Sequence, residues 1–151
     1  MKRSRRENNL VELLAFHAER RGLKTWKRVK LHGIGLPDID LLLKVGDELV
    51  GVEVKYFKDS QAGRFYLGVD EALALLLYGL DRVYLLHGYP GRPEYTLRLV
   101  GMLPIGYMAY RGGREPEVLR PAPPNPFLGE EDVRANRRQL IEVIKTRYDC
   151  L

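Results

Sequence analysis

The sequence holds a single cysteine, Cys150, in 151 residues. One thiol excludes a disulfide framework and a cysteine-based zinc site. No stretch approaches the roughly 18 uninterrupted apolar residues that a membrane-spanning helix needs. The basic residues up to Arg6 are followed by Glu7, Asn8 and Asn9 rather than by an apolar signal core, so no membrane association and a cytoplasmic location are expected. Internal repeats and low-complexity blocks are absent. The three histidines, His17, His32 and His87, show no i, i+4 pairing of the kind that holds zinc. Gln, Asn and Ser are scarce beside Arg, Glu and Leu, a balance associated with thermophilic proteins.

What is present is the makeup of one globular domain: 45% hydrophobic and 30% charged residues with a net charge of +5. The charge is local. Residues 1–30 carry ten Lys and Arg against three acids, and the remainder carries fifteen against seventeen. A one-sided basic excess suits an anionic partner, with nucleic acid ahead of a membrane because no Trp- or Phe-rich anchor accompanies it. A solvated helix face is the plain alternative.

Periodicity predicts a helix over 4–21, stopped by Gly22, then a strand over 23–31. Two strands over 37–45 and 49–56 are joined at Gly46-Asp47, a tight-turn dipeptide. A helix over 69–80, a buried strand over 81–87, a helix over 93–103, a strand over 105–110, a short edge strand over 117–120 and a helix over 130–148 follow. Trp26 is expected in the core. This order reads as α/β, a mixed sheet flanked by helices with a C-terminal helical extension. The expected division is one domain over 1–120, a Pro-rich linker over 121–129, and a terminal helix over 130–151 packed on the same domain.

The chemistry is concentrated in Pro37-Asp38-Ile39-Asp40 and Glu53-Val54-Lys55. Strand alternation sets Asp38, Asp40, Glu53 and Lys55 on one polar face and Ile39, Leu41, Leu43, Val50, Val52 and Val54 on the opposite, apolar one. With a two-residue turn, Val45 pairs with Glu48, so Asp40 lies opposite Glu53 and Asp38 opposite Lys55. Carboxylates facing each other across a ladder repel unless a cation lies between them. Oxygen ligands without nearby Cys or His suit Mg²⁺ or Mn²⁺. Such an ion beside Lys55 is machinery for phosphodiester hydrolysis, with the lysine orienting the attacking water. An exposed hairpin with an Asp38–Lys55 surface ion pair is the alternative.

At these residues the sequence resembles the PD-(D/E)xK nuclease superfamily, the restriction-endonuclease-like fold, over about 4–110. The resemblance implies Asp40 and Glu53 as metal ligands, the Val54 backbone carbonyl as a third, Lys55 as the catalytic lysine, and a metal-dependent endonuclease acting on DNA. The literal proline-aspartate is Asp38. A further similarity to archaeal Holliday junction resolvases aligns Asp40 instead, leaving Asp38 as an auxiliary ligand or the partner of Lys55. The Gly-Ile-Gly loop before the acidic strand and the Pro-rich extension depart from those resolvases. Glu7 matches the glutamate that the first helix of many members brings near the metal, and it equally completes an S-x-x-E capping box with Ser4.

Arg3, Arg5, Arg6, Arg28, Lys30, Lys58 and Arg64 are the expected nucleic-acid contacts. Tyr56, Phe57, Phe65 and Tyr66 are placed either to stack on bases or to pack. Gln61, Asp70 and Glu71 follow the hairpin, and the two acids read most simply as first-turn helix residues. A homodimer accords with cutting both strands. A nuclease-fold DNA-binding module or subunit without turnover is the alternative function.

Overall fold

In the computed structural model, which describes residues 4–58 and 63–148, helices and strands succeed one another as the patterning predicts. Helix α1 spans Arg5–Arg20 and opens on a reciprocal capping box between Ser4 and Glu7. Strand β1 (Lys24–Val29) leads to the hairpin of β2 (Ile39–Val45) and β3 (Glu48–Tyr56). Helix α2 (Val69–Leu75) continues into a 3₁₀ turn, Leu76–Tyr78, before β4 (Arg82–Gly88). Helix α3 (Pro93–Val100), β5 (Gly106–Tyr110), the edge strand β6 (Glu117–Arg120) and α4 (Glu131–Val143) complete the order, with a π-type turn at Ile144–Tyr148. Among the described residues no helix is long and apolar enough to cross a membrane.

The six strands form one sheet in sequence order. Antiparallel pairing joins β1 to β2, β2 to β3 and β5 to β6, while β3, β4 and β5 run parallel. Each parallel step needs a crossover, and α2 and α3 supply them. The result is an α/β fold, a mixed sheet with helices on both faces. Helix α1 covers one face, where Leu10 and Val11 pack with Leu41, Leu43, Val50, Val52 and Val54. Burial of an aliphatic side chain of this kind contributes about 1.5–3 kcal/mol, enough for these two residues to hold the helix in place. Residues of α2, α3 and α4 cover the other face over Leu42, Leu49, Val83 and Leu85, and Trp26 joins that core.

The expected separation of a polar from an apolar hairpin face does not hold. Strand β3 is buried from Leu49 through Val54, Glu53 included, because α1 covers one of its faces and the α2 crossover the other. Gly51 shows how closely the segment between α2 and β4 approaches: a Cβ there would collide with Leu80 Cδ1.

The Pro-rich stretch lies against this core. Ala122 and Asn125 are buried, and the Asn125 amide donates to the carbonyls of Leu76 (2.9 Å) and Leu80 (2.8 Å), at either end of the turn that follows α2. Helix α4 follows, anchored by Val133, Leu140 and Ile144.

Candidate active site

Strands β1, β3, β4 and β5 end, and β2 begins, at one edge of the sheet. Asp40 stands at the start of β2 and Glu53 and Lys55 near the end of β3, so the hairpin carries all three to that edge. The turn forms as expected: Val45 pairs with Glu48, and the register runs to Leu41↔Val52. The strand alternation, however, breaks at Asp40. Ile39 joins the same core cluster as Leu42, whereas Leu41 and Leu43 join the opposite one. Two features accompany the break. The β1–β2 register places Arg28 opposite Asp40, and Arg28 has a left-handed φ of 56°. On the other side the Val54 N–H donates to Asp40 Oδ2 at 2.7 Å, where a continued ladder would have used a backbone carbonyl. The approach to β2 is fixed as well, since the Tyr78 hydroxyl donates to the Pro37 carbonyl at 2.7 Å.

Asp40 and Glu53 are both buried, at 4% and 2% exposure. Among the described residues Glu53 Oε1 has no hydrogen-bond partner. Burial first, and then the charges of Asp40 and Glu71, push the Glu53 carboxyl up to about 10 against the opposing pull of Lys55, and a hydrogen bond with Glu71 acts in the same upward direction. In the metal-free protein at neutral pH Glu53 therefore keeps its proton. The Lys55 ammonium lies 2.7 Å from Glu71 Oε1 and 3.8 Å from Glu53 Oε2. Burial works against its charge, but the hydrogen bond and charge of Glu71, together with Glu53 and Glu7, outweigh burial and raise its pKa. Lys55 is thus a fixed cation and a hydrogen-bond donor.

Glu71 is the residue that the sequence reading set aside as a first-turn helix acid. Its position in the first turn of α2 accounts for an acid without any site, and only the fold shows that turn lying over β3. Gly68 makes the approach possible. It holds φ at +82°, and a Cβ there would meet Lys55 Cγ at 2.7 Å. The loop before it is tied down from β4 and α3. Buried His87 contacts the Leu67 carbonyl through Nε2 (2.6 Å) and the Tyr107 hydroxyl through Nδ1 (2.9 Å). Thr96 donates to the Phe65 carbonyl at 2.5 Å. Burial lowers the His87 pKa to about 4, so the ring is neutral, with Nε2–H donating to the carbonyl.

The expected Asp38–Lys55 pair is absent. Asp38 precedes β2, is exposed, and approaches Lys30 at 3.8 Å, because Glu71 occupies the lysine's side of the sheet. Glu7 turns back to its own cap through Oε1, and Oε2 accepts the Tyr56 N–H at 3.2 Å, so it ties α1 to the end of β3. Asp70 is exposed. Arg5 and Arg6 at the start of α1, Arg28 and Lys30 at the end of β1, Lys58 just past β3, and Arg64 before α2 all flank the same edge. Arg3 and Gln61 lie outside the described residues. Phe57 is buried against His87, with ring centroids 4.6 Å apart, and takes no part in the surface. A cavity of about 230 Å³ beside Trp26, Leu49 and Ile141 lies at the turn end of the hairpin and holds none of these groups.

Among the described residues no three His, Cys, Asp or Glu form a ready-made ligand set. The residues nonetheless suit a hard divalent ion. Two buried carboxylates, one with an unpartnered oxygen, stand beside the backbone of Val54, and Mg²⁺ characteristically takes one or two carboxylates and fills its shell with water and phosphate oxygens.

No protein-family model matches the chain, and no curated protein matches it. Among solved structures it is similar to SPO1766, a protein of unknown function from Silicibacter pomeroyi, at TM-score 0.57 and 18% identity over 90% of this chain and 82% of that one. It is also similar to an fdxN element excision controlling factor from Anabaena variabilis, at TM-score 0.52 and 11% identity over 74% of this chain and 98% of that one. At such identities the likeness extends to the fold, a mixed sheet between helices, and no further.

Proposed function

We propose that the protein is a metal-dependent nuclease that hydrolyses phosphodiester bonds in DNA, with Mg²⁺ or Mn²⁺ held by Asp40, Glu53 and the Val54 carbonyl. The observation that carries this reading is Glu53, a buried carboxyl with an unpartnered oxygen set against two further carboxylates. A fold retains such an arrangement at a cost to stability, and a divalent ion in place of the proton removes the cost. When bound, the ion lowers the pKa of an attacking water and offsets charge developing on the phosphate.

The chain's own residues supply the rest. Lys55, kept protonated, donates to the water or to a phosphate oxygen and holds it in line. Glu71 fixes the lysine's position, and the Gly68 turn leaves room for its stem. Arg5, Arg6, Arg28, Lys30, Lys58 and Arg64 surround the edge with positive charge and bind the phosphate backbone, with a salt dependence that rises with the number of contacts. Cutting both strands of a duplex calls for two such sites, and a homodimer is the assembly proposed for it.

The test incubates the full chain with labelled duplex, single-stranded, flap and four-way DNA in Mg²⁺, Mn²⁺ or EDTA, beside Glu53→Gln and Lys55→Met. Metal-dependent cleavage that each substitution lowers by about 100-fold or more is expected. Cleavage surviving both substitutions, or DNA binding without cleavage of any substrate, overturns the proposal; the second result favours a non-catalytic DNA-binding module.

A further inference from the structure

Beside the carboxylates, on the same edge, stand three tyrosines that the acidic site does not use. Tyr56 follows Lys55 directly and pairs with Gly88, so Tyr89 emerges next to it at the end of β4, and Tyr110 ends β5. Their rings form a row, with centroids 5.5 Å apart for Tyr56–Tyr89 and 5.8 Å for Tyr89–Tyr110. The Arg6 guanidinium lies over Tyr56 at 5.3 Å.

Tyr89 is unusual in two independent ways. It is 47% exposed, and its φ is 51°, in the left-handed region that a bulky side chain avoids and that the following Pro90 disfavours further. A hydrogen bond from its N–H to the Tyr110 carbonyl at 2.7 Å holds it there. Core packing does not explain an aromatic ring kept in solvent by a strained backbone, whereas such strain collects at sites that present a side chain to a ligand. Two more exposed tyrosines repeat the theme, Tyr66 under Arg64 and Tyr95 under Arg92. Positive charge for a phosphate chain interleaved with exposed rings is the composition of a single-strand groove, because every base offers a face for stacking and none need be read by sequence.

We infer that Tyr56, Tyr89 and Tyr110, with Arg6, form a stacking platform for unpaired nucleobases of a DNA strand that passes the Asp40–Glu53–Lys55 site. The inference rests on the nuclease reading insofar as it names that site's substrate: DNA with an unpaired segment beside the phosphate to be cut.

The test reads binding by the full chain in EDTA, where no turnover enters. Fluorescence anisotropy of labelled dT20, rU20 and a hairpin duplex is measured across a salt series, with 2-aminopurine in a single strand reporting stacking. Tyr89→Ala is expected to weaken dT20 binding about tenfold and to abolish the 2-aminopurine quenching. The salt slope stays unchanged, since no charge is removed. Tyr89→Phe retains binding. Tyr89→Gly relieves the left-handed backbone and is expected to melt no lower than wild type while binding as weakly as Tyr89→Ala, which separates stacking from folding. Unaltered dT20 binding by Tyr89→Ala, or equal weakening on duplex and single strand, overturns the platform. Tenfold tighter binding of rU20 than of dT20 overturns its assignment to DNA. A protein that shows the expected binding but cuts nothing keeps the platform and loses the nuclease, and Glu53- and Lys55-dependent cleavage with no effect of Tyr89→Ala does the reverse.

Discussion

Replacing Glu53 by glutamine is expected to stabilise the metal-free protein and to remove its response to metal. With its pKa pushed up to about 10, the Glu53 carboxyl of the folded chain is protonated at pH 7, whereas in the unfolded chain, at its ordinary 4.5, it is ionised. Folding at neutral pH therefore takes up a proton. At 1.36 kcal/mol for each pH unit between 4.5 and 7, the cost is about 3 kcal/mol. The sign follows from the raised value: both states are protonated below 4.5, stability falls as pH rises above it, and the fall ends near 10. Glutamine has nearly the same shape and no proton to take up, and its amide can donate to Glu71 as the protonated carboxyl does. In urea titrations in EDTA, Glu53→Gln should exceed wild type by up to about 3 kcal/mol at pH 7, with the gap closing toward pH 4.5 and widening between pH 6 and 8. Magnesium should act on wild type alone, adding about 2.7 kcal/mol at a hundredfold excess over its Kd. Parallel pH profiles for the two proteins, or equal stabilisation of both by magnesium, would refute the reasoning.

Two further outcomes test how the site is positioned. Gly68→Ala combines a left-handed backbone with a Cβ 2.7 Å from Lys55 Cγ, so it should lower stability by about 1–2 kcal/mol, a Tm drop of a few degrees, yet reduce cleavage about tenfold or more by displacing the lysine; full activity would break the link between this turn and Lys55. For His87, the lowered pKa means that its own contribution to stability is complete above 6.5 and falls by up to about 3 kcal/mol as pH drops toward 4, opposite in sign to the Glu53 trend, because the unfolded chain binds a proton that the folded one refuses. His87→Leu should cost about 1–3 kcal/mol at pH 7 by leaving the Leu67 carbonyl without its donor and should flatten that acid limb, and a variant with the wild-type slope between pH 6.5 and 4 would show that another group is responsible.

How much of this was legible in the sequence depends on the range of the interaction that decides each feature. The hairpin was, because Gly46-Asp47 is a local signal and its register then follows by counting to Leu41↔Val52. The helices and the edge strand were, because their periodicity is local too. Asp40 and Glu53 could be paired from that register alone. The count failed where the ladder is interrupted: the left-handed Arg28 on one side and the Val54 N–H captured by Asp40 on the other break the alternation, and no pattern within β2 announces either. Gly68, Tyr89 and the contact that joins Glu71 to Lys55 were out of reach for a different reason. Each meets the site through the β3–α2–β4 crossover, and nothing in the sequence measures how closely a crossover helix settles on its strands. The same settling changes the electrostatics. A hairpin whose charged face pointed to water would keep Glu53 ionised and need no cation. Once α2 closes over that face the carboxylates lose their solvent, and the charge that the sequence shows as a simple acidic cluster becomes a buried group that must hold either a proton or a metal.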